Sequence, residues 1–168
     1  MHRLVHLAMW NWLRREKSLA VWAANATRQL KEVFLNDDHK NRNVWRLYLV
    51  HVRFVLERGD AKDDEVLRTD LTWKFAMCLY SDGRHNEAEV LYLEVMQTRK
   101  RALGEEHHDT LTSMTKLALT YWSQGRWKEA EELEMIIVDT RKRLLGEEHL
   151  DTLTSIANLA LTYRDEGR

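Results

Sequence analysis

His107 and His108 follow Glu105 and Glu106, and His149 follows Glu147 and Glu148. Imidazole nitrogens beside carboxylate oxygens are the donor set of a zinc or related metal site, where a bound water would become a hydrolytic nucleophile. Each cluster lies in a turn, where polar residues are the normal occupants, and no His-Glu-x-x-His spacing lines two ligands along one helical face. Metal-bound hydrolysis is therefore a reading that only stoichiometric metal in the purified protein would sustain. No Ser-His-Asp order and no paired buried carboxylates can be placed, so no catalytic, cofactor-binding or metal-ligating residue is assigned. Arg58-Gly59-Asp60 has the letters of an adhesion tripeptide, but a helix stop followed by an acidic turn accounts for it. The basic runs Arg99-Lys100-Arg101 and Arg141-Lys142-Arg143 could touch phosphate; neutralising the negative end of a helix dipole accounts for them better. None of the six glycines is followed by Lys or Ser, so the sequence holds no phosphate-cradling P-loop and is not the ATPase part of any larger machine.

The elements that must carry these residues are bounded by composition. At 168 residues and 44% hydrophobic, the chain suits one compact domain or one short repeat array. Its 26 Lys plus Arg nearly balance 27 Asp plus Glu, leaving a formal charge of -1, so no overall field favours nucleic acid or an acidic membrane. Cys78 is the only cysteine, which excludes an internal disulfide framework and fits a reducing compartment, with the cytoplasm as the default. The N-terminal apolar run is broken by His2, Arg3, His6 and Asn11, so neither a signal peptide nor a membrane span is expected. Proline is absent, where average usage would give roughly eight. Seven tryptophans supply large apolar surfaces for a core or an interface.

Internal repetition organises the rest. "TRKRALGEEHHDTLTS" at 98–113 returns as "TRKRLLGEEHLDTLTS" at 140–155, an interval of 42. Residues 104–126 match 146–168 at 16 of 23 positions, and 62–103 match 104–145 at 14 of 42. Gly83, Gly104, Gly125, Gly146 and Gly167 fall 21 apart, so each unit has two halves. Between glycines the apolar residues recur at steps of three and four: Leu111, Met114, Leu117, Ala118 and Tyr121 in 109–123, and Trp127, Ala130, Leu133, Ile137 and Leu144 in 127–145. That spacing predicts paired helices. Asp109 and Asp151 stand where N-caps are expected, and glycine ends each second helix because it tolerates a left-handed conformation. One helix pair cannot bury both of its apolar faces, whereas an identical neighbour stacked beside it can, so junction chemistry has to recur. Residues 1–61 read as helices near 3–16, 18–34 and 43–58, with Ser18 as a cap and Gly59 as a stop.

Leu117, Ala118, Tyr121, Gly125, Trp127 and Ala130 stand in the spacing of a tetratricopeptide repeat, echoed by Leu159, Ala160, Tyr163 and Gly167, and by Phe75, Ala76, Leu79, Gly83 and Ala88. The 42-residue unit, with "GEEHxDTLTSxxxLALTY" and "GRWKEAEELE", resembles the longer kinesin light chain type of repeat, and most of all the version at the C-terminus of fungal NOD-like receptors of the NACHT or NB-ARC class. The resemblance covers 62–168; "VWRLYLVHVRFVL" is similar to the helical linker before those repeats. It implies an all-α fold, a tetratricopeptide α-α superhelix of antiparallel helix pairs, with 1–61 as an N-terminal helical cap and repeats at 62–103, 104–145 and, as a half, 146–168. The family usually has proline where this chain has His108 and Leu150, and often near Leu35 and Val50; the loss fits either drift or deliberate engineering, and an unmodified natural gene would exclude the latter.

The resemblance also implies a concave groove lined by the first helix of each pair. Its positions here are Asp70, Trp73, Lys74, Met77 and Tyr80; then Thr112, Thr115, Lys116, Leu119 and Trp122; then Thr154, Asn158, Leu161 and Arg164. Asn and Lys can hold a peptide's backbone or carboxylate, and Trp, Tyr, Met and Leu offer apolar pockets; alternatively Trp122 and Tyr80 pack on neighbouring helices and the polar residues are merely solvated. The leading expectation is a non-enzymatic scaffold that binds a peptide or protein surface in this groove, as the sensing part of a larger receptor. The alternative is self-association: Arg168 precedes the second helix of the third unit, leaving Leu153, Ile156, Leu159 and Tyr163 for a second chain to cover.

Overall fold

The computed structural model describes residues 21, 25, 27–31, 42–58 and 65–167, and the regular structure among them is α-helical. The expected helices at 3–16 and over most of 18–34, the Ser18 cap, the Gly59 stop and the Arg58-Gly59-Asp60 tripeptide as a whole lie outside the described residues. The chain divides into two compact units, Met1–Cys78 and Leu79–Arg168.

In the first unit, α1 (Arg42–Arg58) buries Trp45, Leu49, Val52 and Leu56, whose steps of four and three keep them on one side of a 3.6-residue turn. α2 (Glu65–Ser81) does the same with Leu67, Leu71, Phe75 and Cys78. The helical residues 27–31 are tied to α2 by Lys31, whose Nζ donates to Asp70 Oδ2 at 2.6 Å and whose carbonyl accepts from Lys74 Nζ at 2.9 Å.

The second unit continues through α3 (His85–Leu103), α4 (His108–Ser123), α5 (Trp127–Leu145) and α6 (Leu150–Glu166). α4 packs between α3 and α5, α5 packs on α6, and α4 also touches α6. Connections of three or four residues force each helix back along its predecessor. Leu111, Leu117, Ala118, Ala130 and Ile137 are almost wholly buried in this stack. The turn from α4 to α5 closes through Arg126 N donating to Tyr121 O at 2.9 Å and Gly125 N to Trp122 O at 3.0 Å, with Gly125 at φ 73°; this is the double-bonded helix ending that glycine favours. The turn from α2 to α3 repeats it, Arg84 N donating to Leu79 O at 2.9 Å.

The long junctions differ from the sequence expectation in two respects. Gly104 (φ 97°, ψ 164°) and Gly146 (φ 91°, ψ 165°) end α3 and α5 outside the left-handed helical region; φ is positive but ψ is extended, so the chain leaves the helix at once. The N-caps are not Asp109 and Asp151 but His107 and His149, two residues earlier. Each histidine is extended (φ -66°, ψ 141° and φ -67°, ψ 138°), and its Nδ1 accepts from the backbone N–H of Asp109 or Asp151 at 3.1 or 3.2 Å. Both aspartates thereby fall in the first helical turn, where their charge favours the positive end of the dipole.

Candidate protein-interaction surface

The stack must be locked before any surface on it can be specific, and arginines lock it. Arg99 in α3 donates from Nη1 to Ser113 Oγ at 2.9 Å and Asp109 O at 3.3 Å; one repeat later Arg141 in α5 reaches Ser155 Oγ at 2.7 Å and Asp151 O at 3.2 Å. Arg141 is 6% exposed, and burial pulls its guanidinium below the ordinary value, with the Asp151 charge opposing. These first members of the two basic runs therefore fasten the next helix, beyond compensating a dipole. The ruler that could have revealed them was already present: Arg and Ser recur 14 apart in both copies.

Between α5 and α6 the two repeats diverge. Glu134, 3% exposed, occupies the position where the preceding repeat buries Tyr92. Burial pushes its carboxyl above the ordinary 4.5, the Glu131 charge adds to this, and the nearby Thr162 hydroxyl offsets part of the rise. Neither Glu134 Oε2 nor Thr162 Oγ1 completes a hydrogen bond, whereas Thr120, the counterpart of Thr162, donates to Lys116 O at 2.7 Å.

At the α4–α5 turn the Arg126 guanidinium lies 4.2 Å from the Tyr121 ring centroid and pairs with Glu89 and Glu129 at 2.8 Å each. Hydrogen bonds to Glu129 and then Glu89 raise the Arg126 pKa. Burial alone would raise Glu89, but the Arg126 and Gln124 hydrogen bonds and the Arg126 charge hold it below the ordinary value. Burial pushes the Tyr121 phenol up, and the Glu89 charge adds to it. This network was not read from the sequence. A cleft of about 500 Å³ opens beside it, lined by Gly83 to Glu87, Ser123 and Gln124.

Of the groove residues expected from the resemblance, Asp70, Trp73, Lys74 and Met77 belong to the first unit and are half-buried there. In the second unit Tyr80 is half-buried and its hydroxyl lies 2.9 Å from Ser123 Oγ. Along α4, Thr112, Thr115, Lys116, Leu119 and Trp122 are half-buried. Along α6, Thr154, Leu161 and Arg164 are exposed and Asn158 is half-buried. Thr112, Thr115 and Thr154 donate to carbonyls of their own helices at 2.8 to 2.9 Å. Trp122 packs edge-on against Trp127, with centroids 6.2 Å apart, and its buried indole N–H lies near Asp165 and helps Arg164 to hold that carboxyl low. Arg164 pairs with Asp165 at 2.8 Å, which holds the Asp165 carboxyl low. Of the self-association residues, Leu153 is 50% exposed and Ile156, Leu159 and Tyr163 are half-buried. Among the described residues no three His, Cys, Asp or Glu side chains converge as metal ligands, and no helix is long and apolar enough to cross a membrane.

Residues 68–135 match the tetratricopeptide repeat family. These are tetratricopeptide repeats. A nucleotide-binding leucine-rich repeat (NLR)-like protein of Hyaloscypha variabilis is 39% identical over 115 residues, covering 67% of this chain and 12% of that protein. Among solved structures, the kinesin light chain nearly identical TPR-like repeats of Podospora anserina align with a TM-score of 0.64 at 23% identity, over 91% of this chain and 67% of that one. BtubC from P. vanneervenii aligns at 0.60 and 17%, over 99% and 61%. These likenesses place the all-α fold among tetratricopeptide solenoids, and with the receptor-like relative they fit a protein-interaction repeat module. Tetratricopeptide repeats are generally non-enzymatic scaffolds. The chain spans about one-eighth of the length of its curated relative.

Proposed function

We propose that the chain is a non-enzymatic interaction module that binds a peptide or protein surface along the α4 and α6 positions named above, as the sensing part of a larger receptor. One observation carries this reading. Residues 104–126 and 146–168 differ at only seven positions, and three of these, 115/157, 116/158 and 122/164, lie on that ladder, with 123/165 and 124/166 in the adjoining turn. Frame residues repeat unchanged: Leu117 and Leu159, Ala118 and Ala160, Tyr121 and Tyr163. A face that varies on a constant frame is how a repeat array distinguishes ligands. Thr, Lys and Trp on one rung set against Ala, Asn and Arg on the next give donors, a cation and apolar surface in an order that a single partner can match.

The test compares the full chain with a Lys116→Glu, Asn158→Ala, Arg164→Glu variant in affinity capture, with captured proteins identified by mass spectrometry. Trp122 is left alone because its contact with Trp127 belongs to the fold. A partner bound by the parent chain and lost by an equally helical variant supports the reading; equal retention by both overturns it.

A further inference from the structure

One place in the stack is acidic where its copy is aromatic. α3 buries Tyr92, 1% exposed, and α5 buries Glu134, 3% exposed, at the same point of the repeat. The Glu134 carboxyl meets the hydroxyl of Thr162 on α6, itself 0% exposed. Thr120, the copy of that threonine, spends its hydroxyl hydrogen on Lys116 O at 2.7 Å; Thr162 Oγ1 makes no such bond, and Glu134 Oε2 is likewise unbonded. An ionised carboxylate only accepts, whereas a hydroxyl both donates and accepts. A proton on Oε2 completes both atoms at once: the neutral carboxyl donates to Thr162 Oγ1, and the Thr162 hydroxyl is left to donate back to the Asn158 carbonyl, as Thr120 does to that of Lys116. Without that proton, one hydroxyl is all that α6 offers to a buried charge.

Among the described residues the packed helices give that charge no counter-ion. Glu131, one turn earlier on α5, repels it, and Arg141, two turns later, is committed to Ser155 Oγ and Asp151 O. On α6, Arg164 pairs with Asp165 and Asp151 lies beside His108; on α4, neither Asp109 nor Lys116 acts on it. Burial and the Glu131 charge both push the carboxyl up, in favour of its neutral form. We propose that the α5–α6 interface is a proton-operated joint, closed while a neutral Glu134 donates to Thr162 and loosened when that proton leaves, so that α6 opens without the rest of the stack. The loosening is local because the other end of the same interface does not titrate. Arg141 stays charged and keeps Ser155, so α6 is hinged there and freed near Thr162. The α3–α4 interface, with Tyr92 in place of the acid, has no such joint. The inference does not rest on the ladder reading.

The test is hydrogen exchange of the full chain, read helix by helix from about pH 4.5 to about pH 7.5 with the intrinsic pH dependence of each amide divided out. In the parent chain, protection of α6 around Thr162 is expected to fall severalfold as pH rises and then to level off, while α3 keeps its protection. Glu134→Gln can donate to Thr162 at every pH, so it should hold α6 protection constant across the range. Glu134→Tyr copies Tyr92 and should do the same, which keeps the test open if the glutamine variant folds poorly. Infrared spectra in heavy water read the proton itself: a neutral-carboxyl band should outlast those of exposed carboxylic acids as pH rises and be missing from Glu134→Gln. Absence of that band overturns the proposal, as does α6 protection that ignores pH or changes equally in parent and variants. Loss of protection from α3 through α6 together overturns it too, because the proton then acts on the whole stack and not on one joint.

Discussion

Gly104 and Gly125 have the same place in the 21-residue ruler and different backbones. Gly125, at φ 73°, ends α4 with the usual paired hydrogen bonds, whereas Gly104, at φ 97° and ψ 164°, occupies a region that essentially only glycine enters. A Cβ built on Gly104 meets nothing within 4 Å, so the cost of Gly104→Ala is conformational alone, about 1–3 kcal/mol, read as a lower urea midpoint with unchanged slope. At His108 the sign reverses. It is the first residue of α4 after an extended His107, the position where proline's fixed φ suits the helix and its missing N–H belongs to the unbonded set. His108→Pro should stabilise by about 0.4–1 kcal/mol, chiefly by restricting the unfolded chain, and a midpoint that falls would mean the junction is not built this way. The glycine spacing was legible because five glycines keep it. The histidine caps were not, since Asp is the commoner capping residue and only backbone geometry shows that each helix starts two residues sooner.

Helices and their pairing follow from apolar spacing that differs little between copies; what fastens one helix to the next does not. Arg99 and Arg141 sit inside basic runs whose position at a helix end already has a sufficient electrostatic reason, so their reach to Ser113 and Ser155 emerges only in three dimensions. The ladder residues were named from the repeat register, but their exposure depends on which neighbour lies beside each helix, and Trp122 against Trp127 is the clearest case. Glu134 was hidden for another reason: on α5 it reads as one more acid in a polar run, while in the stack it is buried against α6. Its folded pKa lies above the ordinary 4.5, so the folded protein holds the proton more tightly than the unfolded chain. The stability this contributes is full below the unfolded value and is lost as pH rises through the folded one. Glu134→Gln keeps the shape without the titration, so its urea midpoint should gain on the parent chain as pH rises above the ordinary 4.5 and level off once the folded carboxyl has ionised. A gap that stays constant across that range would show that Glu134 ionises as freely folded as unfolded.

Across the whole second unit, stability is shared between neighbours. α4 is gripped on both sides by α3 and α5, whereas α6 is held by α5 and only lightly by α4. In a stack of this kind each interface contributes separately, and the element with fewest neighbours opens first. Arg141 joins α5 to α6 through a buried, charge-assisted pair of hydrogen bonds, so Arg141→Ala removes about 1.5–3 kcal/mol and leaves Ser155 Oγ with only its bond to Asp151 O, at 2.8 Å. Hydrogen exchange separates two ways the molecule could absorb that loss. If the interfaces are coupled only to their neighbours, amides of α6 exchange faster by about tenfold or more while those of α3 and α4 keep their protection. The matching Arg99→Ala change should spread further, because α4 is the helix on which α5 and then α6 are laid. Equal acceleration of α3 through α6 by Arg141→Ala would instead mean that the four helices open as one body.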